Sequence, residues 1–192
     1  MSERGLPPPD MLWDRSVEGF RSPVHRRLIG RNLWPPNSTD ILDMLPTALR
    51  WLPRDNGIAW LPFGAAGAQL AFFGHEPNWS AVELEALKED GSSLSKRWRR
   101  CSGSKSGSVW WLITPPSEGN YTLYVCEGVM DAISVFWSRP LFDNLAICAI
   151  GGTGEAAMQR PLSGAWKPKL VLFYADGDGA GIKAGDTVCH TF

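Results

Sequence analysis

Three apolar runs in the C-terminal half each stop abruptly in small or acidic residues, and this pattern restricts the fold more than any other feature. Residues 121–126 run into Glu127-Gly128. Residues 145–150 run into Gly151-Gly152-Thr153-Gly154. Residues 170–174 lead through Ala175 into Asp176-Gly177-Asp178-Gly179-Ala180-Gly181. Short, continuous apolar runs of this length read as strands covered on both faces, as in parallel sheets. Between the first two, residues 129–137 set Met130, Ile133 and Phe136 or Trp137 at helical spacing; after the second, residues 155–160 start a helix that Pro161 ends. The β-α-β-α-β rhythm predicts an α/β fold, a parallel sheet flanked by helices. In such sheets the carboxyl ends of neighbouring strands open on one edge, where sites form.

The chain ahead of residue 121 follows another rhythm. Residues 1–24 are rich in Pro and Arg and read as an extended or mobile lead-in. Residues 25–50 read as a short helical approach broken at Trp34-Pro35-Pro36, with a capped turn over 41–45. Residues 57–63 and 68–73 are apolar runs about Gly64-Ala65-Ala66-Gly67 and predict a β-hairpin. Residues 83–89 fit either a helical turn or an elaborated loop. Residues 109–113 form a strand, and the turn-rich 114–120 marks a domain boundary. The expected organisation is a lead-in over 1–24, a small β-rich (α+β) module over 25–116, and an α/β domain over 121–192.

Lys96, Arg97, Arg99, Arg100 and Lys105 fall in a polar stretch with no acidic residue among them. Such a cluster fits phosphate contacts, and it fits a solvated loop equally well. Over the whole chain the formal net charge is only -1, which by itself does not point to nucleic acid. The four cysteines form no CxxC pair, which argues against a zinc ribbon. No basic N-terminus leads into an apolar run, and no stretch approaches the roughly 20 apolar residues of a membrane span. A cytoplasmic protein with reduced thiols and no membrane partner is the expectation. The ten tryptophans show no repeat; tryptophan can stack on bases, but most of these are assigned to packing.

Glu127, Asp176 and Asp178 converge if the three strands are parallel neighbours. Three carboxylates alone repel one another, but with Mg2+ or Mn2+ they become hard oxygen ligands that leave room for water and phosphate oxygens. The alternation in Asp-x-Asp sets both side chains of an extended segment on one side, and the adjoining glycines let a phosphate approach. Taken singly, Asp-Gly-Asp-Gly is also a common surface turn, and a glycine turn after a strand is unspecific. An EF-hand loop is disfavoured because no Glu lies at its twelfth position. The combination of three strand ends is far more specific than any one part.

These segments carry a family resemblance over residues 121–186. The run Leu123-Tyr-Val-Cys-Glu-Gly-Val-Met-Asp-Ala132 resembles the first Toprim motif, Ala149-Ile-Gly-Gly-Thr-Gly154 its glycine turn, and residues 170–181 its Asp-x-Asp motif. The continuation through Ala180-Gly181 to Lys183 is similar to bacterial and phage-type primases. Residues 25–113 more loosely resemble the β-rich section that precedes Toprim in phage and plasmid primases.

The resemblance implies a primase-like, metal-dependent nucleotidyltransferase. Its substrates would be single-stranded DNA and nucleotide triphosphates, in the replication of a phage, plasmid or other mobile element. A helicase or other replication protein is a further implied partner. Asp176 and Asp178 would ligate Mg2+ or Mn2+. Glu127 would be a ligand or the general base, and Asp131 a further metal or supporting group. Gly128, Gly151, Gly152, Gly154 and Lys183 would face phosphate or nucleotide, and the basic cluster the nucleic acid. A Toprim nuclease and a non-catalytic binding subunit are the alternatives.

The chain departs from the family in three ways. It has no zinc module and no Gly-x-x-x-x-Gly-Lys-Ser/Thr loop, so neither a zinc ribbon nor a fused helicase is expected. Phe192 follows the Asp-x-Asp motif closely, so a C-terminally short Toprim-like domain is the further expectation.

Overall fold

The computed structural model describes residues 6–33, 48–56, 61–95, 98–105, 108–117, 120–138, 144–151 and 168–174. The chain divides into two compact units, Met1–Ser104 and Lys105–Phe192. Each is built on its own sheet.

The first unit is an antiparallel meander of β1 (Val17–Glu18), β2 (Leu49–Pro53), β3 (Gly67–His75), β4 (Asn78–Leu87) and β5 (Arg99–Gly103) in that spatial order. Helices α1 (Pro9–Arg15) and α2 (Pro23–Gly30) belong to it. The lead-in expected over 1–24 is therefore folded from Pro9 onward. Pro9 and Pro23 stand at the first helical positions of α1 and α2, where a missing N–H costs nothing. The Ser22 hydroxyl caps α2 by accepting from the Val24 N–H at 3.1 Å. Trp13 of α1 lies 5.0 Å from Phe72 and 4.8 Å from Trp79, ring centre to ring centre, which ties the segment to β3 and β4.

The hairpin also differs from expectation. Its second arm is β3, as expected, but β2 pairs with it, Leu49 opposite Ala71 and Pro53 opposite Gly67. Residues 57–60 lie outside the described residues, and residues 61–66 form the turn region before β3. Pro62, and Gly64 at φ +84°, interrupt any continuous strand there. Residues 83–87, left between helix and loop, belong to β4. The i, i+3 spacing of Leu84 and Leu87, which a helical turn would also show, is overridden by pairing on both sides, to β3 and to β5.

A buried ion cluster braces this sheet. The Arg27 Nη2 donates to both Glu85 carboxylate oxygens, at 3.1 and 2.9 Å, and the Ser93 hydroxyl donates to Oε1 at 2.7 Å. Burial pulls the Arg27 pKa down, opposed chiefly by the attraction of Glu85.

The second unit holds β6 (Trp110–Ile113), β7 (Thr122–Cys126), β8 (Leu145–Ala149) and β9 (Leu170–Tyr174) in the order β6-β8-β7-β9, with α3 (Val129–Ser138) between β7 and β8. β7 is parallel to β8 and to β9, as the apolar runs predict. β6 runs antiparallel to β8, so the sheet is mixed. The architecture is α/β, preceded by the antiparallel β-rich unit. The strand at 109–113 thus joins the second sheet, and the division between units falls at Ser104/Lys105, ahead of the turn-rich 114–120. That stretch connects two strands of one sheet; turn composition reports a change of direction and says nothing of which strand will be the partner. The helix expected over 155–160 lies outside the described residues.

In-register parallel pairing sorts side chains by face. Leu123, Val125, Ala146, Cys148 and Ile150 form one core with Val109 and Tyr121, and Trp111, Val171 and Phe173 pack against it. Cys126 alternates with Val125 and is in register with Ala149, so it emerges on the other face from Cys148. Burial raises the Cys148 thiol pKa well above its ordinary range, with the neighbouring Cys126 adding to the effect.

Candidate functional site

The three parallel strands finish level. Cys126 is in register with Ala149 on one side and with Tyr174 on the other. Glu127, the next residue, is stitched to both neighbours. Its N–H donates to the Tyr174 carbonyl at 3.2 Å, and its carbonyl accepts from the Gly151 N–H at 2.9 Å. Glu127 therefore stands, half-buried, at the centre of the carboxyl edge. Asp176 is two residues beyond Tyr174 in sequence. Asp176, Asp178 and Lys183 lie outside the described residues, as do Gly152 and Gly154.

Gly151 closes the turn after β8 with φ +64°, a left-handed conformation that favours glycine. Its carbonyl accepts a 2.6 Å hydrogen bond from the Lys105 ammonium, across 46 residues of sequence. Lys105 thus reaches the same strand ends as Glu127. Of the other basic candidates, Arg99 and Arg100 lie on β5 of the first unit. Arg99 is 3.6 Å from the Glu85 carboxylate, which partly neutralises it. Arg100 is exposed and stacks its guanidinium over Trp98 at 5.6 Å. Lys96 and Arg97 lie outside the described residues.

Gly128 is the residue that precedes α3, and its carbonyl accepts the Ala132 N–H at 3.1 Å. The Gly128 N–H donates to Asp131 Oδ2, also at 3.1 Å. Asp131, in the first turn of α3, is exposed. The family resemblance implied a metal or supporting role for it and did not reveal this backbone contact. The signal was present, since an acid three residues after a helix-leading residue is half of a capping box.

A hard divalent cation fits the donor chemistry of this edge. The available side-chain donor at the strand end is a carboxylate, and its backbone is held on both sides. Among the described residues no three His, Cys, Asp or Glu side chains gather closely enough to hold an ion. No helix of the described residues is long and apolar enough to cross a membrane.

Comparison with known proteins bears on this edge. Residues 124–192 match the model of the Toprim_2 family, described as Toprim-like. No curated protein is significantly similar in sequence. Among solved structures, the primase fragment of the bacteriophage T7 primase-helicase protein is similar at 16% identity, with a TM-score of 0.46. The match covers 74% of this chain and 53% of that one, so the chain spans about half of that fragment. The family match covers β8, β9 and the last three residues of β7, the strands whose ends carry Glu127, Gly151 and the approach to Asp176, and it identifies residues 124–192 as a Toprim-like region.

Proposed function

We propose that this chain is a primase-like nucleotidyltransferase that joins nucleotide triphosphates on single-stranded DNA at the carboxyl edge of its second sheet. The observation that supports the reading most directly is the level finish of β7, β8 and β9, with Glu127 hydrogen-bonded to the ends of both neighbouring strands. The strand that leads into Asp176-Gly177-Asp178 is one of those neighbours.

In the proposed reaction the 3′ hydroxyl of one nucleotide attacks the α-phosphorus of the next, and pyrophosphate leaves. Glu127 either takes the proton of the attacking hydroxyl or ligates the ion, and Asp176 and Asp178 complete the acidic set. Bound Mg2+ or Mn2+ would supply positive charge for the attacking and leaving oxygens. Lys105, beside Gly151, offers its ammonium to triphosphate or template phosphate. The half-buried Trp98 and the exposed Arg100 over it offer a stacking surface and a cation to single-stranded nucleic acid. Lys96, Arg97, Arg99 and Lys183 are assigned to the same polyanion, and Gly128, Gly151, Gly152 and Gly154 to its close approach. Phage or plasmid replication, with a helicase or other replication protein as partner, is the proposed setting.

The test incubates the protein with single-stranded DNA, labelled nucleotide triphosphates and Mg2+ or Mn2+, beside Glu127→Gln and a double Asp176→Ala, Asp178→Ala variant. Short labelled products from the parent, reduced by roughly 100-fold or more in Glu127→Gln, are expected. Shortened DNA without incorporation would instead make the chain a nuclease. Binding with neither activity would make it a non-catalytic subunit.

A further inference from the structure

Asp131 is the acidic residue of this region whose side-chain engagement is in view, and its partner is the backbone. Oδ2 accepts the N–H of Gly128, the residue joining Glu127 to α3, at 3.1 Å. The Gly128 carbonyl in turn accepts the Ala132 N–H, so Gly128 is gripped from both ends by the first turn of the helix. On the other side Glu127 is fixed by Tyr174 and Gly151. Without the Asp131 contact, the joint between these two anchorages loses its side-chain brace.

The glycine is part of the same device. A Cβ built at Gly128 would lie 2.7 Å from Asp131 Oδ2, closer than such atoms approach, and its next neighbour is the Cγ of the same carboxylate at 3.8 Å. Among the described residues, chain neighbours aside, no backbone atom lies that near. Gly128 is also not among the glycines with positive φ. A side chain at 128 would thus act mainly by displacing the Asp131 carboxylate.

We infer that Asp131 is a positioning residue that caps α3 through the Gly128 N–H and thereby sets the Glu127 backbone, and that it is not a metal ligand. The sequence resemblance assigned it to the metal or its support; the geometry points to the cap. The link to Glu127 function rests on the metal-site reading proposed above, while the cap itself does not.

The test compares Asp131→Ala, Asp131→Asn, Gly128→Ala and the Gly128→Ala, Asp131→Ala double variant in the full chain. Asparagine keeps an oxygen acceptor and removes the charge. Three readouts are taken: amide exchange at Gly128, melting temperature, and Mn2+ affinity by calorimetry. Asp131→Ala is expected to speed exchange at Gly128, lower the melting temperature by about 4 °C and weaken Mn2+ binding. Asp131→Asn is expected to restore slow exchange, most of the melting temperature, and Mn2+ affinity to within about twofold of the parent. Gly128→Ala should reproduce Asp131→Ala, and the double variant should be no worse than either single one, because both remove one contact.

Equal loss of Mn2+ affinity in the Asn and Ala variants, with Gly128 exchange unchanged in both, would overturn the inference and make Asp131 a ligand. Additive losses in the double variant would overturn the shared-contact argument. A parent protein that binds no Mn2+ would sink the metal-site reading, and exchange and melting would still decide whether Asp131 is the cap.

Discussion

Glu127 arrives at the sheet edge with both backbone polar groups committed, its N–H to Tyr174 and its carbonyl to Gly151. A side chain on so fixed a backbone loses little entropy when it engages an ion or a substrate. Lys105 reaches the same turn by a different route, from the far end of a basic stretch. Lys105→Met is therefore expected to weaken binding of single-stranded DNA and to make its salt dependence shallower by about one unit of log–log slope. Fluorescence anisotropy with a labelled oligonucleotide over a salt series measures this. An unchanged slope would remove Lys105 from the phosphate contacts. That Lys105 is basic could be read from the sequence. That it bonds Gly151 could not, because the contact spans 46 residues and depends on how β6 enters the sheet. Glu127 was legible because a continuous apolar run that ends in an acid carries its own strand end. Asp176 and Asp178, read on the same logic, lie outside the described residues.

At the scale of elements, the two sheets were legible to different degrees. β7, β8 and β9 were visible because buried parallel strands are apolar throughout and need no alternation to be recognised. β2 was missed because Leu49-Arg50-Trp51-Leu52 resembles the apolar run that follows it, and only register with β3 chooses between them. β6 was found as a strand and assigned to the wrong sheet, since an edge strand of four residues holds no information about its neighbour. The same registers make a chemical prediction. Cys126 and Cys148 are buried on opposite faces, whereas Cys101 is exposed on β5. Of these three thiols, only Cys101 is expected to react with iodoacetamide in the folded protein, read by mass spectrometry of the digested chain. Rapid native labelling at Cys148 would contradict the packing. The raised Cys148 pKa also has a sign: the folded state favours the neutral thiol, so this contribution is complete below the ordinary thiol pKa and declines as pH rises above it. Denaturant midpoints across that range should fall less for Cys148→Ala than for the parent.

The whole molecule separates its structural charges from its candidate catalytic ones. Arg27 and Glu85 lie in the first unit, with side chains 5% and 10% exposed, and Glu127 lies in the second. Breaking a buried pair leaves a lone charge behind, so Glu85→Ala is expected to cost about 3 kcal/mol of stability. It should lower the melting temperature while leaving Mn2+ affinity of the folded protein within about twofold, the usual limit for independent sites. Calorimetry of both variant and parent reads the two quantities, and a larger change in affinity would reveal energetic coupling between the units.

The bond from Lys105 to the Gly151 carbonyl means that the acidic edge of the second sheet carries a resident counter-charge. Under the proposed function, a phosphate nearing that edge would meet one ammonium as well as the Glu127 carboxylate. The reach of either charge is set by the surrounding electrolyte, about 8 Å at physiological ionic strength. The same ammonium that would ease the approach of a phosphate would oppose a divalent cation, so under the proposed function the two would compete electrostatically for this edge.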